Sequence, residues 1–239
     1  MNRLLIPMLL AVLMIGCTPG ETTTEVATPT ETRETGTMEA NEFQFALRDL
    51  DHGRYREAIP NLQIALQKKL YPESRIRREL GRAYHGAGMY TWAIDQLRLA
   101  LVDRPNDSQA YAWVADSYMQ ERRPEMAADY ARRGLKLQAD PEIEAELHYT
   151  LGLANMELGN VEAALEQFEA AQKLQPKDRD VNIELAEAYE EAGQVAKAIE
   201  VWKRIHAMVK DDATQAGIVE RHILQLQKKL PPKVTSEKK

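Results

Sequence analysis

One spacing restricts what this 239-residue chain can fold into. The blocks "HGRYREAI", "AGMYTWAI", "LGNVEAAL" and "AGQVAKAI" carry Gly53, Gly88, Gly159 and Gly193, and Arg122 in "ERRPEMAA" fills the vacant place between the second and third. Successive steps are 35, 34, 37 and 34 residues. An interval of that size holds two helices and two turns, and a fixed interval marks stacked copies of one unit. Five residues past each turn stands an alanine: Ala58, Ala93, Ala127, Ala164 and Ala198. In the helix before each turn stands another small residue: Ala46, Gly81, Ala115, Gly152 and Ala186. Two small positions per unit let the paired backbones approach closely. Larger side chains such as Leu80, Tyr84, Leu97, Tyr118, Phe168 and Tyr189 fill the layer around them. Glycine at the turn supplies the positive φ that ends the first helix, and Pro105 and Pro176 stop the second, because proline cannot continue a helix.

A 34-residue helix pair with this pattern resembles the tetratricopeptide repeat. The resemblance implies an all-α fold, a right-handed superhelical solenoid of five helix pairs spanning residues 39–73, 74–107, 108–144, 145–178 and 179–212. Residues Glu142 to Glu144 are then a three-residue insertion. The first repeat is degenerate, with Asp49 where an aromatic is expected and Pro60 early in its second helix. Residues 213–230 read as a capping helix, since Val219, Ile223, Leu226 and Leu230 form one stripe at i, i+4, i+7 and i+11. Neighbouring repeats should bury one continuous core.

The N-terminus reads differently. Leu4 to Ile15 is a 12-residue apolar run, too short for the roughly 18–20 residues that span a bilayer and of the length of a signal-peptide core. It ends at Gly16 and Cys17, the chain's one cysteine. This resembles a bacterial lipobox, with Met14 where leucine is usual. The resemblance implies a signal peptide over 1–16 and a lipidated, palmitate-bearing Cys17. Thr18 rather than Asp after the cysteine favours the outer membrane, facing the periplasm. Residues 17–38 then form a Thr- and Glu-rich tether with little to bury; its reach is roughly 25 Å by flexible-chain scaling. Residues 231–239 read as a frayed Lys-rich tail.

In the repeat family the first helix of each pair lines a concave surface. Mapping those positions gives Arg75, Arg78, Arg82 and His85, then Ala112, Asp116 and Met119, then Tyr149, Leu153 and Met156, then Glu187 and Glu190. The net charge of −6 hides a polarity along this line. Residues 41–141 hold 16 basic and 14 acidic side chains, residues 142–212 hold 7 and 16. Arg75, Arg78 and Arg82 fall on one helix face, where spaced guanidinium groups suit carboxylates. The expected partner segment is therefore acidic at one end and apolar beside it. The competing account pairs these arginines with carboxylates of the same surface, such as Glu79 or Asp116. Position six of the repeats carries Gln44, Glu79, Trp113, Thr150 and Glu184, so the asparagine of a carboxylate clamp is missing.

No catalytic or metal motif appears. His52, His85, His148, His206 and His222 lie one per element, without an i, i+4 pair. The reading is non-enzymatic, with no cofactor, no small-molecule substrate and no nucleic acid, which the acidic half would repel. Two functions fit. One is a protein-binding scaffold for envelope proteins. The other follows from a resemblance to tetratricopeptide lipoproteins of the pilotin kind, which assist type IV pilus secretin assembly; signal, tether, array and the segment Leu70-Tyr71-Pro72 carry that likeness. The lipoprotein of the β-barrel assembly machine is of similar length, but its repeats carry long insertions.

Overall fold

The computed structural model describes residues 41–230, which form eleven α-helices and no strand. Ten of them pair: α1 (Glu42–Asp51) with α2 (Tyr55–Gln67), α3 (Glu73–Gly86) with α4 (Tyr90–Asp103), α5 (Ser108–Gln120) with α6 (Pro124–Leu135), α7 (Pro141–Glu157) with α8 (Val161–Leu174), and α9 (Arg179–Glu191) with α10 (Val195–Met208). α11 (Ala213–Lys229) packs on α10. The result is an all-α solenoid of five helix pairs closed by a single helix. The signal segment 1–16, Cys17 with the tether to 38, and the tail 231–239 lie outside the described residues.

The turns explain the repeat. Gly53, Gly88, Gly159 and Gly193 have φ between 69° and 74°, and Arg122 takes the same conformation at 58°. The chain then reverses, with Met89 N–H bonding Tyr84 C=O at 2.8 Å and Gln194 N–H bonding Tyr189 C=O at 2.8 Å. Asp107, Asp178 and Asp212 cap α5, α9 and α11, each carboxylate accepting a backbone N–H of the first turn.

The small positions lie where helices cross. Ala58, Ala93, Ala127, Ala164 and Ala198 are wholly buried. A Cβ on Gly152 would stand 2.5 Å from Phe168 Cε1, so α7 and α8 meet at a distance only glycine permits. Each first helix touches the next first helix along the series α1, α3, α5, α7, α9, whereas the second helices do not touch one another among the described residues. First helices therefore crowd on the inner, concave side and second helices fan apart on the convex side.

Two details differ from the sequence reading. Buried side chains form two clusters, not one. The first runs from Phe43 to Ala154 and the second from Ala164 to Leu226, with Leu153 packed against both. The stripe on α11 ends early: Val219, Ile223 and Leu226 are buried, but Leu230 is exposed, because it is the C-cap and its extended backbone, at ψ 144°, takes it off the helical stripe. Pro60, early in α2 as its sixth residue, is exposed, so it costs the Arg56 carbonyl its helical partner at the solvent side. Residues Glu142 to Glu144 lie in the first turn of α7, making it 17 residues long. Among the described residues no helix is long and apolar enough to cross a membrane.

Candidate functional site

The concave face starts on α3. Spacings of three, four and three put Arg75, Arg78, Arg82 and His85 on one side of that helix. Arg75 is exposed and lies over two rings, 5.2 Å from Phe43 and 5.1 Å from Tyr71. Arg78 is committed within the chain. Its Nη1 donates to Glu79 at 2.6 Å, its Nε is 2.7 Å from Asp107, and its guanidinium lies 5.1 Å from the Trp113 ring centre. Asp107 accepts from Ala110 N–H with its other oxygen, so one side chain caps α5 and ties it to α3. Arg82 is 3.7 Å from both Asp51 and Glu79. Arg78, and more loosely Arg82, are thus paired with carboxylates of their own surface, as the competing account has it, whereas Arg75 has no such partner among the described residues. Glu79 is the partner that the competing account named. Asp116 is not; it meets His85.

His85 Nε2 and Asp116 Oδ2 are 2.6 Å apart, bridging α3 and α5. Burial pushes the Asp116 carboxyl up, but the hydrogen bond and charge of His85, with Gln120, outweigh it and hold the group below its ordinary range. Ala112, on α5, is wholly buried. It cannot touch a ligand and leaves the candidate set.

Beyond Asp116 the face turns apolar and then acidic. Met119, Leu153 and Met156 line a cavity of about 430 Å³, with Arg122, Glu157 and Glu184 at its rim. Met119 is almost buried and forms floor; Leu153 and Met156 are half-buried. Tyr149 packs with its ring 6.1 Å from Phe168. Burial pushes its phenol well above the ordinary value, helped by the charges of Glu184, Asp180, Asp178 and Asp116. Burial also raises Glu146, which accepts from Gln109 at 3.3 Å and feels Asp116 and Glu142. Glu184 is raised by burial and by Glu187 and Asp180. Glu187 is exposed.

A second cavity of about 410 Å³ lies between α9, α10 and α11, lined by Glu187, Glu190, Trp202, Ile218, Val219 and His222. Glu190 Oε1 accepts from Trp202 Nε1 at 2.7 Å and lies 2.7 Å from His222 Nε2. Since a carboxylate only accepts, that ring nitrogen carries the proton. The imidazole and indole stand edge to face at 4.8 Å. Glu184, Trp202 and His222 were missed by the sequence reading, which did place Glu190 on the concave face. Glu184 had a usable signal, being one turn from Asp180 and Glu187 on the same helix; His222 had none, since its partner is 32 residues away. Among the described residues no cluster of three or more His, Cys, Asp or Glu could hold a metal.

The sequence matches the tetratricopeptide repeat over residues 43–108 and 149–212, and over 108–141 by a second description of the same repeat. No curated protein sequence matches the chain. Solved structures similar to it include the MamA protein, at 20% identity and a TM-score of 0.61, covering 72% of this chain and 92% of that one. MamA from residue 41 onward of Desulfovibrio magneticus RS-1 has a TM-score of 0.64 at 19% identity, covering 72% and 95%. At such identities the likeness establishes the fold alone.

Proposed function

The chain belongs to the tetratricopeptide-repeat family, and from that premise we propose that it is a non-enzymatic scaffold whose concave face binds segments of envelope proteins. Lipid at Cys17 would hold it to the periplasmic side of the outer membrane. The observation that carries the binding reading is the strip of Met119, Leu153 and Met156 around its cavity of about 430 Å³. Flexible, polarizable side chains on an open concave wall suit an adaptable polypeptide contact. The anchoring reading rests on the apolar run that ends in Gly16-Cys17.

A photo-crosslinking residue at Met156, compared with one at Glu166 on the outer helix α8, tests the binding reading in cells. Partners should be trapped from the first position and not the second. Trapping only from Glu166 would sink it. Replacing Cys17 with Ser should release the chain from membranes; an unacylated wild-type Cys17 would end the anchoring reading.

The narrower reading, a pilotin-like assembly factor, shares the same signal, tether and array. The segment Leu70-Tyr71-Pro72 lends it no separate support, because Tyr71 has a packing role: its ring lies 4.4 Å from Phe43 and its hydroxyl accepts from Gln44 at 3.1 Å. A secretin subunit crosslinked at Met156 would favour this reading over the general one.

A further inference from the structure

We propose that the C-terminal half of the concave face takes a cationic amphipathic segment of a partner protein, in which Lys or Arg side chains alternate with apolar ones. This rests on the concave face being the binding site and names the chemistry of what binds there.

The argument starts from two apolar floors. One is Met119, Leu153 and Met156; the other is Trp202, Ile218 and Val219. Helix α9 runs between them and contributes to both rims, Glu184 to the first and Glu187 and Glu190 to the second. Asp180 precedes Glu184 by one turn. The ridge between the two floors is therefore a row of carboxylates at helical spacing. None of Asp180, Glu184 and Glu187 forms an ion pair among the described residues, although thirteen pairs occur elsewhere on the described chain. Like charges one turn apart repel, so this row opposes folding of the helix that carries it. Glu146 on α7 adds a half-buried carboxylate that has a glutamine, not a base, as its hydrogen-bond partner. The Glu146 and Glu184 carboxyls are both raised by burial and neighbouring acid charge, so an arriving cation would relieve both and act in a medium less polar than water.

At the basic end only Arg75, exposed over the Phe43 and Tyr71 rings, stands outside any ion pair in the arginine row among the described residues. Arg78 already holds two carboxylates, and Arg82 lies near two. Arg122 is the one cation at the rim of the first cavity. Neighbouring carboxylates on α9 are one turn apart, about 5–6 Å. Alternate side chains of an extended segment are spaced about 6–7 Å on the same side, so successive basic residues of a strand-like segment match the row.

The full chain is titrated into three fluorescein-labelled twelve-residue probes, read by anisotropy: alternating Lys and Leu, the same with Glu for Lys, and the same with Ser for Leu. The Lys/Leu probe should bind about tenfold tighter than either other, an effect that shrinks with salt. The double variant Glu184→Gln, Glu187→Gln should weaken it about fivefold or more. Leu153→Ser should weaken it with little change in salt dependence. Glu162→Gln with Glu166→Gln, on the outer helix α8, should leave it unchanged. Equal binding of the Glu/Leu or Lys/Ser probe, or wild-type affinity in the α9 double variant, overturns the proposal. So does an equal loss in the α8 variant, which marks indiscriminate charge attraction. A truncation after Leu230 that binds the Lys/Leu probe about tenfold tighter than the full chain also overturns it, since the chain's own Lys-rich tail would then be the occupant. Failure here with Met156 crosslinking intact leaves the groove as binding site and removes only its cationic specificity.

Discussion

Arg122 occupies a conformation that its four counterparts reach with glycine, at φ 58° against 69° to 74°. A side chain in the left-handed region costs roughly 1–2 kcal/mol, partly offset by glycine's greater freedom when unfolded. Arg122→Gly should therefore stabilise the array by about 0.5–1 kcal/mol, read as a higher urea midpoint at unchanged slope. The spacing alone exposed this position. Charge pairing was less legible. The sequence places Arg75, Arg78 and Arg82 on one face, but whether they are free depends on Asp107, which comes from a loop 29 residues after Arg78 and turns back only because it caps α5. The half-buried acids make a second prediction. Burial raises Glu146 and Glu184 above an ordinary value near 4.5. The folded chain then binds more protons than the unfolded one between 4.5 and those raised values. Stability from these groups is full below 4.5 and is lost as pH rises through that window. Asp116 is lowered and acts oppositely, contributing above its ordinary value of 3.8 and losing that contribution as pH falls through the lowered one. The pair Glu146→Gln, Glu184→Gln should raise the urea midpoint at pH 7 and flatten its rise toward pH 5; a midpoint that falls at pH 7 would show that the carboxylates are stabilised in place.

At the scale of elements, the small residues specify how helices meet. Gly152 faces Phe168, which is wholly buried and cannot retreat. Gly152→Ala should cost about 1–3 kcal/mol by overpacking. Adding Phe168→Leu should recover part of that loss, because the two changes share one contact and couple non-additively. Additive costs in the double variant would mean that α7 and α8 do not cross there. The helix count, the pairing and the turns were legible because each recurs five times under the same steric rule. What the sequence did not reveal belongs to single elements. Three extra residues at 142–144 suggest a loop as readily as a longer helix; Pro141 at the first helical position, with φ already set for a helix, places them in α7. The stripe on α11 predicted burial for Leu230 by periodicity, but periodicity does not reveal that the helix itself stops at Lys229.

For the whole array, the split into two clusters has a consequence for how it opens. A linear stack is stabilised by each unit and its neighbours, so regions of different local stability can open separately. The N-terminal cluster runs through three and a half repeats and is threaded by aromatic contacts, such as Tyr118 with Tyr130 at 5.4 Å and Phe43 with Tyr71 at 4.4 Å. The C-terminal cluster is smaller and spans residues 164–226, with 8 basic and 12 acidic side chains, behind a cap on which Leu224 is exposed. Leu153 is the residue packed against both. Amide hydrogen exchange should accordingly show weaker protection in α9 to α11 than in α3 to α6. Salt should narrow the difference by screening repulsion among the acids, over about 8–10 Å at 0.1–0.15 M, whereas protection in α3 to α6 should barely respond. Leu153→Ala should widen the difference by loosening the join, without removing helical signal. Uniform protection along the array, or a gap that salt leaves untouched, would show that the two clusters open as one and that the acidic row imposes no strain. If the gap is present, a cationic segment bound on α9 should close it as salt does, since relief of the same repulsion is what both supply.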